Sequence, residues 1–342
     1  MKHILFFKGV LFSLLILMNG FVSFSQSFSW AQGFNNKGDG PIIFDANNNL
    51  IETRAFTGTV DFDNGPSVYN VTAVGSLDMY LLKEDAIGNL LWIKHFPCLT
   101  AGTSAIKSMA ISNDTQGNIY ITGGFRDSFD FDPGPLVYKM VSVGNPSNSG
   151  ENIFVLKLDS AGNFIWAKQM GGLGLNFSTG QGIKVDVSGN IYLVSHFTGS
   201  IDADPAPNVL QFNGSGILLH KLNTNGDMVW AKHIPGTGRV SSSLSIDSHS
   251  NMYFAGYFSG TVDFDPGTGV TNLSTPSSLA YDMVVAKYDS TGNLIWAKQL
   301  GNNASVFTNV AQGISLDPST NVLVTGYFGG TVDFDPGPSV FN

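Results

Sequence analysis

One stretch returns four times along this chain and limits what it can fold into. Its clearest copy is Asp282–Gln299, DMVVAKYDSTGNLIWAKQ, and variants run from Asp78 to His95, Asn152 to Gln169 and Gly216 to His233. In each copy a lysine stands nine positions before a tryptophan: Lys83 and Trp92, Lys157 and Trp166, Lys221 and Trp230, Lys287 and Trp296. Between them lies DAIGN, DSAGN, NTNGD or DSTGN. An Asp or Asn opening such a segment bonds to backbone two residues on, and the Gly supplies the positive φ of a tight turn. The flanks, IFVLKL and FIWAKQ among them, are rich in β-branched and aromatic residues. Each copy therefore reads as a β-hairpin, hairpin A.

A second hairpin, B, alternates with the first. Its copies start at Ile111, Ile183, Leu244 and Ile314, with a degenerate one at Ile43, and each ends in a phenylalanine after an Asp- or Asn-led turn. The five tryptophans, beginning with Trp30, hold one register at spacings of 62, 74, 64 and 66 residues. Two hairpins in a period of that size make one four-stranded antiparallel sheet. Such a sheet cannot cover both of its faces alone, and stacking like sheets radially gives a β-propeller. A β-solenoid is the alternative, although its coils are usually shorter. The expected fold is all-β: a propeller of four-stranded antiparallel blades, with about five repeats seen and the last incomplete. If Trp166 and Trp230 are buried between blades, replacing either with Ala is expected to cost about 3–5 kcal/mol.

The pattern I-x-x-D-x-x-G-N-I-Y-x-x-G, followed by D-x-x-x-x-K-x-D-x-x-G-N-x-x-W-A-K-Q, resembles the SBBP β-propeller repeat of secreted bacterial proteins. The resemblance spans nearly all of residues 26–342. It implies a propeller and a home outside the cytoplasm, and almost nothing about activity.

The start of the chain agrees with that location. Lys2 and Lys8 precede a short apolar run, Val10–Met18, and small residues Ser23 and Ser25 stand before Gln26. Residues 1–25 thus read as a secretory signal and 26–342 as the repeat domain. The apolar run is short for a membrane span. Loss of Lys2 and Lys8 takes the net charge from −9 to −11. That acidity argues against nucleic acid and anionic membranes and suits cations and neutral sugars. Cys98 is the only cysteine, so no internal disulfide forms, and a free thiol, buried or half-buried, is its plainest reading. FSWAQGF around Trp30 matches only the closing half of hairpin A. GPSVFN at 337–342 matches GPSVYN at 65–70, after which the chain continues into another strand. The expectation is a sequence truncated at its C-terminus, within a repeat; the alternative is that the Trp30 strand closes the final half-blade, giving five blades with one strand missing.

An acidic loop separates hairpins B and A. Its copies place Asp61 and Asp63, Asp130 and Asp132, Asp202 and Asp204, Asp263 and Asp265, and Asp333 and Asp335 two residues apart beside Gly or Pro. Paired carboxylates in such a turn could hold a hard cation, and calcium is the candidate cofactor. The competing reading is structural, because Asp-Pro-Gly is an ordinary turn. The spacing is tighter than an EF-hand, and no bidentate glutamate follows at the expected place.

Four of the six histidines stand out inside the repeat register. His95 and His233 take the slot of Gln169 and Gln299, His196 that of Gly124, and His220 that of Leu156. No Ser–His–Asp or paired-carboxylate constellation stands out, although loops near a central channel could converge from several blades without a motif. The expected function is a secreted or cell-surface binding scaffold for extracellular protein or carbohydrate. The alternative is a propeller hydrolase or lyase acting on extracellular polysaccharide.

Overall fold

A computed structural model describes residues 39–63, 65–100, 104–144, 150–172, 177–301, 308–337 and 341. The expected signal segment and the Trp30 strand lie outside the described residues. Within them the chain is all-β, in antiparallel sheets, with no helix and no closed sheet.

Each repeat uses hairpin B as its first two long strands and hairpin A as its last two. In the first, β1 (Ile42–Phe44) and β2 (Leu50–Phe56) precede the short β3 (Thr59–Asp61) and β4 (Asn70–Thr72), then β5 (Asp78–Glu84) and β6 (Leu90–Phe96). The second holds β7 (Ala105–Asn113), β8 (Ile119–Arg126), the short β9 (Ser128–Asp130) and β10 (Lys139–Val141), β11 (Asn152–Leu158) and β12 (Phe164–Met170). The third is built from β13 (Phe177–Val185), β14 (Ile191–Asp202), β15 (Gln211–Leu222) and β16 (Met228–Pro235). The fourth has β17 (Arg239–Ile246), β18 (Met252–Phe258), the short β19 (Thr261–Asp263) and β20 (Asn272–Ser274), β21 (Asp282–Tyr288) and β22 (Leu294–Leu300). The fifth pairs β23 (Val310–Leu316) with β24 (Val322–Tyr327). The four complete sheets run β1-β2-β5-β6, β7-β8-β11-β12, β13-β14-β15-β16 and β17-β18-β21-β22.

The turns show why the repeat needs its Asp and Asn. In hairpin B of the third repeat, Asp186 Oδ1 accepts the N–H groups of Ser188 and Asn190, while Oδ2 accepts from the Asn190 side chain. Asp85, Asp114, Asp159, Asp247 and Asp317 repeat that arrangement. Asn223 exchanges the roles: its Oδ1 accepts the two N–H groups, and its own amide donates to Asp227. Each turn therefore satisfies its own backbone locally.

Sequential repeats touch through their first strands, except that the first repeat contributes chiefly its second strand, β2. β7 lies against β2 and β13, β13 against β17, and β17 against β23. The cores fill the space between neighbouring sheets, with Phe125, Phe154 and Leu156 in one cluster and Val194, Leu219 and Phe254 in another.

The tryptophans do not meet the condition of burial between blades. Trp92, Trp166, Trp230 and Trp296 stand on the last strand of each sheet and are only half-buried. Three of them reach the hairpin A turn of the next repeat, against Gly162, Gly226 and Gly292 in order. Trp166 Nε1 donates to the Thr224 carbonyl at 3.3 Å, and Trp230 Nε1 to Ser290 at 3.2 Å. Lys157 and Lys221, opposite those tryptophans across the strand pair, donate to the same two carbonyls. Lys–Trp pairs thus clamp the following repeat. Their position on an outer strand leaves one ring face toward solvent.

Candidate functional site

The acidic pairs do not meet one another; each stays in its own repeat. Their geometry is the same five times over. Asp263 Oδ1 accepts the N–H groups of Asp265 and Thr271, and Asp265 Oδ1 accepts that of Gly267. Asp61 with Asp63, Asp130 with Asp132, Asp202 with Asp204, and Asp333 with Asp335 match it bond for bond. One oxygen of every carboxylate is therefore engaged in shaping the loop. The loops also join repeats, since Asp130, Asp202 and Asp333 donate their backbone N–H to Pro97, Gly171 and Gly301 at the end of the preceding sheet. Among the described residues, no group of three or more His, Cys, Asp or Glu is arranged to hold a metal ion.

The residue between the paired acids has its own role. Phe62, Phe131, Phe264 and Phe334 each pack edge-on against the phenylalanine that ends hairpin B, with ring centroids 5.2–5.5 Å apart. The third repeat has Ala203 instead, and the fully buried His220 hydrogen-bonds to the Ala203 carbonyl. His95 Nε2 donates to the Asp78 carboxylate, 2.7 Å away, and His233 lies 3.4 Å from the Ser215 carbonyl. Cys98 is buried, as expected, beside Gly75.

His196 is different, because it faces a cavity of about 370 Å³. The cavity opens where the first strands of the third, fourth and fifth repeats converge. Two kinds of position build it. The first is the slot before the phenylalanine of hairpin B, occupied by His196, Tyr257 and Tyr327 in successive repeats. Their cross-strand partners on the first strand are Thr179, Arg239 and Val310. The second is a β-bulge two residues further along that strand, where Gln181 and Gln312 leave the ladder. A bulge re-aims a side chain away from regular alternation, and both glutamines line the cavity. Small residues make the close approach possible: a Cβ on Gly256 or Gly326 would lie 2.1 Å from a first-strand carbonyl oxygen.

The cavity is lined by aromatic and amide groups with a single formal charge. Phe177 stacks obliquely on His196, with centroids 5.9 Å apart. His196 is buried, and its pKa is lowered to about 4, by burial first and by nearby Arg239 second. It is therefore a neutral imidazole at pH 7. Arg239 is exposed at the rim and has no ion-pair partner among the described residues. Among the described residues no acid lines the cavity, although the protein has 26 acidic and 17 basic residues. Burial raises the pKa of the neighbouring Glu151, against the pull of Lys107 and Arg126. Sequence reasoning noted that His196 replaces Gly124, but did not assemble this site. Its signal was available as one register slot that varies between repeats, Gly124, His196, Tyr257 and Tyr327, while the following phenylalanine stays constant.

No known protein-family profile matches the chain. It is 26% identical, over 255 residues, to an uncharacterised WD repeat-containing protein of Acanthamoeba polyphaga mimivirus. The matched region covers 65% of this chain and 18% of that protein, so the chain spans under a fifth of its relative's length. Among solved structures, a Bacteroides caccae protein of unknown function aligns at 10% identity and a TM-score of 0.18, covering 65% of this chain and 89% of that one. The extracellular domain of a hybrid two-component system from B. thetaiotaomicron aligns at 11% identity and a TM-score of 0.20, covering 85% and 51%. Superpositions at that level assign no fold. Among the described residues, no helix is long and apolar enough to cross a membrane.

Proposed function

We propose that this chain is a β-propeller of the SBBP type, displayed outside the cell, that acts by binding through the cavity where its first strands converge. The carrying observation is that cavity. Residues from three successive repeats meet at one register slot and one bulge position, and they present rings, amides and one guanidinium. Such a concave surface with a few convergent polar groups is what a ligand site requires. The order of contact from β2, the second strand of the first repeat, to the first strands β7, β13, β17 and β23 supports radial stacking. The WD repeat relative supports the same architecture.

The partner is an extracellular carbohydrate or protein. The test is to immobilise the protein, screen it against glycan and extracellular-protein arrays, and assay the same preparation for turnover of polysaccharides. Saturable binding without turnover is expected. Turnover would replace this reading with a hydrolase or lyase, and loss of all binding across both arrays would remove it. Fractionation of the source cells tests the location, with the protein expected in the surface or secreted fraction.

A further inference from the structure

We propose that the cavity takes a carboxylate-bearing sugar, a uronic acid residue, with Arg239 as the carboxylate contact. This rests on the reading of the cavity as a binding site and names the chemistry of its ligand.

Three features select that class. The first is size: the volume of about 370 Å³ falls in the range of small-ligand sites and suits one or two sugar rings rather than a peptide segment. The second is the wall. The side chains of Phe177, Tyr257 and Tyr327 offer apolar faces for the C–H side of a pyranose. Gln181 and Gln312 each carry a carbonyl and an amide, the two halves of a hydrogen-bond pair with hydroxyl groups. The third is charge. Arg239 stands directly across from Tyr257, so both side chains project from the same face of the sheet. A planar guanidinium matches a carboxylate with two parallel hydrogen bonds. Among the described residues no acid lines the cavity to compete with that carboxylate. Neutral His196 adds hydrogen-bonding capacity without a second fixed charge.

A neutral sugar would leave the guanidinium without a counter-charge. A simple carboxylate would leave the rings and amides unused. The uronic acid uses both.

The experiment is titration of the full chain, by calorimetry and saturation-transfer NMR, with methyl glucuronide and methyl galacturonide. Methyl glucoside, methyl galactoside and acetate serve as comparisons. At least one uronide is expected to bind about tenfold more tightly than its neutral counterpart, with acetate weaker still. Its affinity is expected to fall as salt is raised. Arg239→Gln should lose that tenfold while melting unchanged, since Arg239 is exposed. Gln312→Ala, also at an exposed position, should weaken uronide and neutral sugar by a similar factor. Equal affinity for uronide and neutral sugar would overturn the proposal, and so would an Arg239→Gln protein that still prefers the uronide. No uronide binding, alongside binding of other partners on the arrays, would overturn this ligand class and leave the scaffold reading standing. No binding on either platform would remove both.

Discussion

His220 completes the buried surface that Ala203 leaves short, its Nε2 lying 3.2 Å from the Ala203 carbonyl oxygen. In the corresponding repeats the alanine is Phe62, Phe131 or Phe264, and the histidine is Leu82, Leu156 or Ala286. The exchange brings a titratable group into the core, with Nδ1 buried and unpaired. Burial lowers the His220 pKa to about 4, against the opposing effect of the Ala203 bond. Between the ordinary 6.5 and about 4 the unfolded chain binds the proton and the folded one does not. Stability from this group is therefore complete above pH 6.5 and lost as pH falls toward 4. His196 adds a loss of the same sign, whereas Glu151, raised by burial, titrates in the opposite direction. Both are common to wild type and His220→Leu. The variant should therefore lose part of the drop in melting temperature between pH 7 and pH 4.5, on the order of 2–3 kcal/mol in stability. An identical pH profile for the two proteins would show that His220 is not protected from protonation.

Trp166 and Gly226 form one contact between repeats. The glycine has φ of +78°, and a Cβ there would lie 3.1 Å from the tryptophan ring. A half-buried ring on an outer strand should contribute less than a core aromatic. Trp166→Ala is expected to cost about 1–3 kcal/mol, below the ~3–5 kcal/mol of a fully buried site. Gly226→Ala should cost about 1–2 kcal/mol from the left-handed backbone and the lost space. Because both changes act on one contact, the double variant should fall short of their sum in a double-mutant cycle. Strict additivity would show that the ring does not depend on the turn.

The hairpins were legible because their evidence is local. The Asp that caps each turn and the bonds it makes are separated by only two to four residues, as in Asp186 with Ser188 and Asn190. The short strands inside the acidic loops were not read. Three residues, such as Thr261–Asp263 in β19, carry too little alternation to mark a strand. The cavity was hidden for another reason. His196 and Tyr327 are 131 positions apart and meet only through the stacking of sheets, and Gln181 points inward only because a bulge breaks the alternation. The burial of the tryptophans was not legible because a regular register states that a position is equivalent in every repeat, without saying which strand is outermost.

Asp186, in the hairpin B turn of the third repeat, should be more sensitive than the exposed Asp85 of a hairpin A turn. Besides the shared bonds, its Oδ2 accepts from Tyr192 at 3.3 Å and from Ser250 of the next repeat at 3.2 Å. Burial opposes ionisation, but the bonds from Asn190, Ser188 and Ser250 prevail, and its pKa is lowered. Asp186→Ala should cost about 2–4 kcal/mol, because it strands several partly buried donors at once. The exposed Asp85→Ala, in a hairpin A turn, should cost clearly less. Comparable losses at the two positions, measured by urea melts, would show that burial and the link to the next repeat add nothing.

The acidic pairs separate a cation site from a turn by a direct measurement. In each, the inner oxygens already accept backbone N–H groups, as Asp263 does from Asp265 and Thr271. A cation would have to be held by the remaining oxygens, two per loop, whereas calcium takes roughly six to eight ligands. Melting in excess EDTA and in millimolar calcium should therefore give the same midpoint. Asp263→Asn should be milder than Asp263→Ala, because the amide oxygen still accepts the two N–H groups. A calcium-dependent rise that Asp263→Asn reduces would reverse this assignment. It would mean that the outer oxygens and backbone carbonyls of the loop gather a cation, and that the five repeated loops hold five such sites.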